Sequence, residues 1–237
     1  VSLAFFHSPN RVEALARAMP FGLFLFVLAL RSLSVDTGSE DLTGAASGFD
    51  LRWLYAAQAA LACAALILWR PFYKELLIRP GSMPALVTSV VVGIFVFLVW
   101  ILPMPSWALL GSEGVSFVPL DASGGLRWDL IVARSFGALL VVPVMEELFW
   151  RSFVMRFLDR RDFLALAPGR ASWTGVLVSS AIFATEHELW LAGLVAGLAY
   201  ALIYRRFGNL WYPILAHAVT NGALAAWVVS QQAWSYW

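Results

Sequence analysis

Two adjacent carboxylic acids followed one helical turn later by an arginine, Glu146-Glu147-x-x-x-Arg151, interrupt a run of apolar residues. Ionisable side chains in such a run are costly and mark functional positions by default. Glu147 and Arg151 are spaced i,i+4 and can pair on one helix face. Glu146 points about 100° away, so one arginine need not neutralise both carboxylates. A buried ion pair that only orients helices would explain one glutamate and the arginine. The second glutamate, without a local cation of its own, tilts the balance toward chemistry. A second apolar stretch closes on Phe183-x-x-x-His187, and a third carries His217-x-x-x-Asn221, with imidazole and amide on one helix face. An asparagine beside a histidine suits donation to a developing oxyanion. One histidine in a span is usually a hydrogen-bonded core residue. Two of the three histidines lie here, together with the glutamate pair and Asn221, whereas His7 in the N-terminal tail has no partner motif.

Zinc is the competing chemistry, because Glu146, His187 and His217 are all possible ligand types. His187-Glu188 begins like a metalloprotease helix, but the residue four positions on is Leu191, so that motif fails. Asn221 is a poor zinc ligand and a good oxyanion donor, which disfavours zinc. No cofactor is expected.

These residues need a scaffold, and the composition says which kind. The chain is 61% hydrophobic and 13% charged, with mean hydropathy +0.76. Soluble domains carry roughly 45–50% apolar and about 25% charged residues. A soluble enzyme, a disordered tail and a disulfide scaffold are excluded. The lone Cys63 lies in an apolar run and can build neither an internal disulfide nor a cysteine metal site. A net charge of +1 gives no basic surface for nucleic acid. Spanning segments of about 20 apolar residues are expected near 14–33, 51–69, 84–102, 130–158, 172–186, 189–204 and 211–229. The fold class is therefore all-α, a polytopic transmembrane bundle of about seven to eight helices. It forms a single membrane domain over 1–237, with N-terminal helices and loops to 125 and the candidate catalytic helices from 126. The first segment is kept as a span because Ala29-Leu30-Arg31 offers no cleavage site. The 32–48 and 103–125 stretches, rich in Gly, Ser and Pro, read as extramembrane connections.

Loop charges orient the bundle. Arg11 and Arg17 open the first segment, Arg70, Lys74 and Arg79 follow the second, Arg156, Arg160, Arg161 and Arg170 follow the fourth, and Arg205 and Arg206 follow the sixth. Alternate loops carry Asp36, Glu40, Asp41, Asp50, Glu113, Asp121 and Asp129. The positive-inside rule then puts the N-terminus in the cytoplasm. Trp53, Trp69, Trp128, Trp173 and Trp211 fall at segment ends, as in an aromatic belt. Gly193 and Gly197 form a small-residue stripe suited to close helix packing. One difficulty arises from straight spans. Glu146 lies roughly 25 Å along the helix from Asp129 on the outer face, and His187 roughly 25 Å from Arg170 on the inner face. The two could not then meet, unless Pro143 breaks the fourth segment or the 160–170 loop dips inward.

Taken together, Glu146-Glu147-x-x-x-Arg151, Phe183-x-x-x-His187 and His217-x-x-x-Asn221 resemble the three motifs of the CAAX-protease and bacteriocin-processing (CPBP, or ABI) family of intramembrane glutamic proteases. Arg31-Ser32-Leu33, Asp50-Leu51-Arg52-Trp53-Leu54-Tyr55, the residues around Glu147–Phe153 and Glu188-Leu189-Trp190-Leu191-Ala192-Gly193 are similar to a subgroup found beside bacterial exosortase systems. The resemblance implies an endopeptidase of the bacterial inner membrane acting on a membrane-associated protein or peptide, with exosortase-system proteins as partners. It implies Glu146 as base with His187 holding the water, His217 and Asn221 as oxyanion donors, and Glu147 and Arg151 setting local geometry, with a share of the base role by Glu147 as the open alternative. The alternative is a non-catalytic membrane scaffold or immunity-type peptide binder. A proton-relay transporter is disfavoured because no inverted repeat appears.

Overall fold

The computed structural model describes residues 10–35, 50–110 and 117–237. The 36–48 part of the first connection, the acidic residues Asp36, Glu40, Asp41 and Glu113, and His7 lie outside the described residues, and so do the side chains of Arg31, Ser32 and Leu33. Among the described residues seven helices of nine or more residues follow one another: α1 (Arg11–Val35), α2 (Leu54–Trp69), α3 (Met83–Trp100), α4 (Trp128–Phe157), α5 (Trp173–Ala184), α6 (Trp190–Phe207) and α7 (Trp211–Gln231). No strand occurs among the described residues. The fold is an all-helical membrane bundle.

Local sequence explains the helix ends. Ser82 and Ser172 accept hydrogen bonds from the backbone N–H groups of Ala85 and Gly175, so each satisfies a donor that the first helical turn leaves open. Gly208 takes a left-handed conformation, φ 72°, and ends α6 at the sharp turn into α7. Trp69 and Trp100 are the last residues of α2 and α3, and Trp128, Trp173 and Trp211 the first of α4, α5 and α7, so the aromatic positions fall at helix ends as anticipated. Val87, Val91, Phe95 and Leu98 of α3 are at least half exposed, a stripe that only a lipid environment would cover.

Five helices, α1, α2, α3, α4 and α7, are long and apolar enough to cross a membrane. That corrects the expectation of seven spans. α5 has 12 residues, roughly 18 Å, against a hydrocarbon thickness of about 30 Å. α6 carries Arg205 and Arg206 in its last turn. The short α5 also removes the depth conflict. It starts beside the far end of α4, where Ser172 N–H donates to Asp159 at 2.6 Å and Gly175 packs on the Met155 carbonyl. From that shared level, Glu146 lies roughly 16 Å back along α4 and His187 just beyond the end of a helix of similar length, so the two arrive at one depth.

Pro143 does not break α4. The helix runs through it as a π-helical stretch, Gly137–Val141, followed by an α-helical turn, Val142–Glu147, and a second π-helical stretch, Leu148–Val154. Close packing brings the neighbours in. A Cβ on Gly93 of α3 would sit 2.5 Å from the Ala216 carbonyl of α7, and one on Gly197 of α6 would sit 3.1 Å from Ser180 of α5. The glycine stripe of α6 is thus a packing seam, as its spacing suggested.

Candidate active site

The first π-helical stretch explains where Asn221 is held. In the i→i+5 pattern, Val142 N–H donates to the Gly137 carbonyl. The next bond in that register would run from residue 143 to the Ala138 carbonyl, and proline has no N–H to give. Asn221 of α7 supplies the missing donor, its Nδ2 lying 2.8 Å from the Ala138 oxygen. That bond uses one amide hydrogen and leaves the second available.

His217, one turn before Asn221, is buried and held on two sides. Its Nδ1 lies 3.0 Å from Glu147 Oε1, and its ring stacks on Tyr200 at 5.0 Å with planes 21° apart. An ionised carboxylate only accepts, so Nδ1 carries the hydrogen and Nε2 is the remaining ring nitrogen. Glu147 is fully buried, and its other oxygen faces Arg151 Nε at 3.1 Å, the i,i+4 pair anticipated from spacing. Arg151 lies over the rings of Phe183 (4.6 Å) and Tyr200 (5.4 Å) and donates to the Gly197 carbonyl. Glu147 and Arg151 therefore stand behind His217 and are not among the residues lining the cavity beside it.

His187 follows α5, and its Nδ1 lies 3.0 Å from the Phe183 carbonyl one turn back. A carbonyl only accepts, so here too Nδ1 carries the hydrogen, and the neutral ring keeps a lone pair on Nε2. Trp100 of α3 packs edge-on against this ring at 5.3 Å.

Glu146 of α4, His187 beyond α5, and His217 and Asn221 of α7 all line one cavity of about 230 Å³. Glu146 is buried, and its Oε2 has no hydrogen-bond partner among the described residues. Buried carboxylate oxygens without a protein partner are rare, and catalytic function is among the recognised reasons for one. Along α4 the cavity is lined by Arg134, Ala138, Val142 and Glu146, one residue per turn, so it extends from Glu146 towards the Trp128 end. Tyr236 and Trp237 close its far part, and Arg134 lies there over the Tyr55, Phe117 and Trp237 rings. Among the described residues no three His, Cys, Asp or Glu side chains are grouped to hold a metal ion.

All seven motif residues fall within one matched segment. Residues 127–223 match the Rce1-like family model. The family is described as type II CAAX prenyl endopeptidase Rce1-like. No curated protein and no solved structure matches the chain. The Rce1-like segment begins just before α4 and ends two residues after Asn221, so the family match and the three-motif resemblance fall on the same helices.

Sequence reasoning did not find Tyr55, Trp100, Tyr200, Tyr236 or Trp237 in the cavity wall, since aromatic residues in an apolar helix carry no separate signal. Arg134 was findable: it is an arginine inside an expected span, the same signal that singled out Arg151.

Proposed function

We propose that the chain is an intramembrane endopeptidase that hydrolyses a peptide bond of a membrane-associated protein or peptide with water activated by Glu146. The observation that carries this reading is the meeting of Glu146, His187, His217 and Asn221, from separate elements, around one cavity in which a Glu146 oxygen is buried without a partner among the described residues. The Rce1-like match supports the reaction class.

The donor and acceptor inventory gives each group a role. Glu146 and His187 Nε2 both offer lone pairs, so a water between them is held by its two hydrogens with its oxygen lone pair directed to substrate. Glu146 takes one of those protons as the oxygen attacks the scissile carbonyl. The carbonyl oxygen gains negative charge and needs donors. The second hydrogen of Asn221 Nδ2 is one. His217 is the other, and to donate through Nε2 it must be an imidazolium, because Nδ1–H is committed to Glu147. The proton on Glu146 then passes to the leaving amine, which restores the carboxylate. The two glutamates thereby divide the work: Glu146 moves a proton, and Glu147 orients the His217 ring.

For the setting we propose a bacterial inner membrane with the N-terminus cytoplasmic, on the strength of the loop charges, and a link to exosortase-associated sorting, on the strength of the subgroup resemblance. The test is incubation of the purified protein with candidate exported, membrane-anchored peptides. Cleavage by the wild type that disappears in Glu146→Ala supports an enzyme. Tight binding without cleavage by both proteins would instead make the chain a peptide binder.

A further inference from the structure

Away from the cavity, four polar groups from three parts of the chain form a buried cluster. Glu75 sits in the 3-10 turn Lys74–Leu77 between α2 and α3. Its Oε2 faces Arg17 of α1, and its Oε1 accepts from the Ser152 hydroxyl and from Arg156 Nη2 at 3.2 Å, both on α4. Arg17 and Ser152 are fully buried, and Glu75 is 14% exposed. Arg17 Nε also donates to Ser152 Oγ at 2.8 Å, and Tyr73 anchors the same turn by donating to the Ala16 carbonyl. Two of the cations read from sequence as loop charges, Arg17 and Arg156, therefore belong to this cluster.

Ser152 lies in the second π-helical stretch, Leu148–Val154, directly after Arg151. π-Helical stretches are rare, and they frequently occur at functional sites. This one is clamped from outside its own backbone. Arg156 Nε reaches back to the Ser152 carbonyl at 2.6 Å, and its Nη2 bonds Ser152 Oγ at 2.8 Å. On the other side of the same turn, Arg151 pairs with Glu147, and Glu147 holds His217. An unbroken series of contacts thus joins Glu75 to Ser152, Arg151, Glu147 and His217. Neither Glu75 nor its partners Arg17, Ser152 and Arg156 are among the residues that line the cavity.

We propose that Glu75 is a positioning residue for His217, acting through Ser152 and Arg156 on the π-helical stretch that carries Arg151. The proposal rests on the peptidase reading only for its kinetic consequence. Its structural consequence, a change in the His217–Glu147 hydrogen bond, is measurable without any substrate. Burial raises the Glu75 carboxyl, but Arg17, the Ser152 hydroxyl and Arg156 together outweigh it and hold the group below its ordinary value, in keeping with a charged anchor.

The test uses the full chain in nanodiscs, with Glu75→Gln, Glu75→Asp and Ser152→Ala. The proton on His217 Nδ1 gives a downfield resonance while it is hydrogen-bonded to Glu147. In Glu75→Gln that resonance is expected to shift or disappear, with kcat down by about 10–100-fold and KM within about twofold of wild type. Glu75→Asp keeps the charge and is expected to recover part of both effects. The loss from Glu75→Gln should also fail to multiply with that from Arg151→Lys, since the two act along one series of contacts. If Glu75→Gln does not fold, Ser152→Ala, which deletes one hydroxyl, carries the same two readouts. An unchanged resonance in folded Glu75→Gln or Ser152→Ala overturns the proposal, as does a rise in KM with kcat unchanged. A wild type that cleaves nothing, with the resonance still lost in Glu75→Gln, refutes the peptidase reading and leaves the positioning role standing.

Discussion

Replacing each of the adjacent glutamates by glutamine should separate catalysis from scaffold, because the two side chains have different partners. Glu147 is fully buried between His217 Nδ1 at 3.0 Å and Arg151 Nε at 3.1 Å. Glutamine in its place turns one acceptor into a donor facing a donor and leaves the Arg151 cation buried without its counter-charge. Breaking a buried pair from one side costs about 3–5 kcal/mol. Among the described residues Glu146 makes no ion pair and its Oε2 no hydrogen bond, so a neutral isostere there orphans no partner. Glu146→Gln should unfold at or above the wild-type temperature while turnover falls by about 10²–10⁴-fold. Glu147→Gln should unfold at a clearly lower temperature and lose activity as well, since His217 loses the group that orients its ring. The assay is thermal unfolding in one detergent, monitored by intrinsic tryptophan fluorescence, beside cleavage of one peptide at one enzyme concentration. Equal destabilisation by the two substitutions would refute the division of labour. A stable, inactive Glu147→Gln beside an active Glu146→Gln would assign the base role to Glu147.

Other consequences are as direct. Gly93→Ala places a methyl 2.5 Å from the Ala216 carbonyl and 2.7 Å from Val219 Cβ, so α3 and α7 must separate, at a cost of about 1–3 kcal/mol, read as a lower unfolding temperature. Glu75 is held below the ordinary carboxylate range, so its contribution to stability is complete above that range and is lost as pH falls through the lower folded value. The unfolding-temperature difference between wild type and Glu75→Gln should therefore be largest near neutral pH and shrink in acid; a difference that grows in acid would contradict the sign. Cysteines introduced within 160–170 should be labelled only from the cytoplasmic side and those within 117–125 only from the other, and the reverse pattern would overturn the orientation read from loop charge.

The apolar runs made the helices legible, because a span is the one element whose length alone announces it, and all seven lie where the runs lie. The spacing of Glu147 and Arg151, and of His217 and Asn221, correctly put each pair on one face. Depth was misjudged, because α4 is a 30-residue helix and α5 a short one, and hydropathy cannot tell a short helix docked in protein from a span. Nor could sequence show that Pro143 leaves the Ala138 carbonyl for Asn221, since that depends on a π-helical register set by packing. The link from Glu147 to His217, 70 residues apart, and the cluster around Glu75 are long-range contacts between segments whose local patterns say nothing of each other.

The most direct test of the central claim is cleavage by protein treated with a strong chelator, with zinc content measured on the same sample. Glutamate-activated water predicts that a membrane-anchored peptide is still cut at the untreated rate, with far less than one equivalent of zinc bound, and that Glu146→Gln abolishes the product. Loss of cleavage on chelation, restored by added zinc and accompanied by about one equivalent of bound metal, would contradict it.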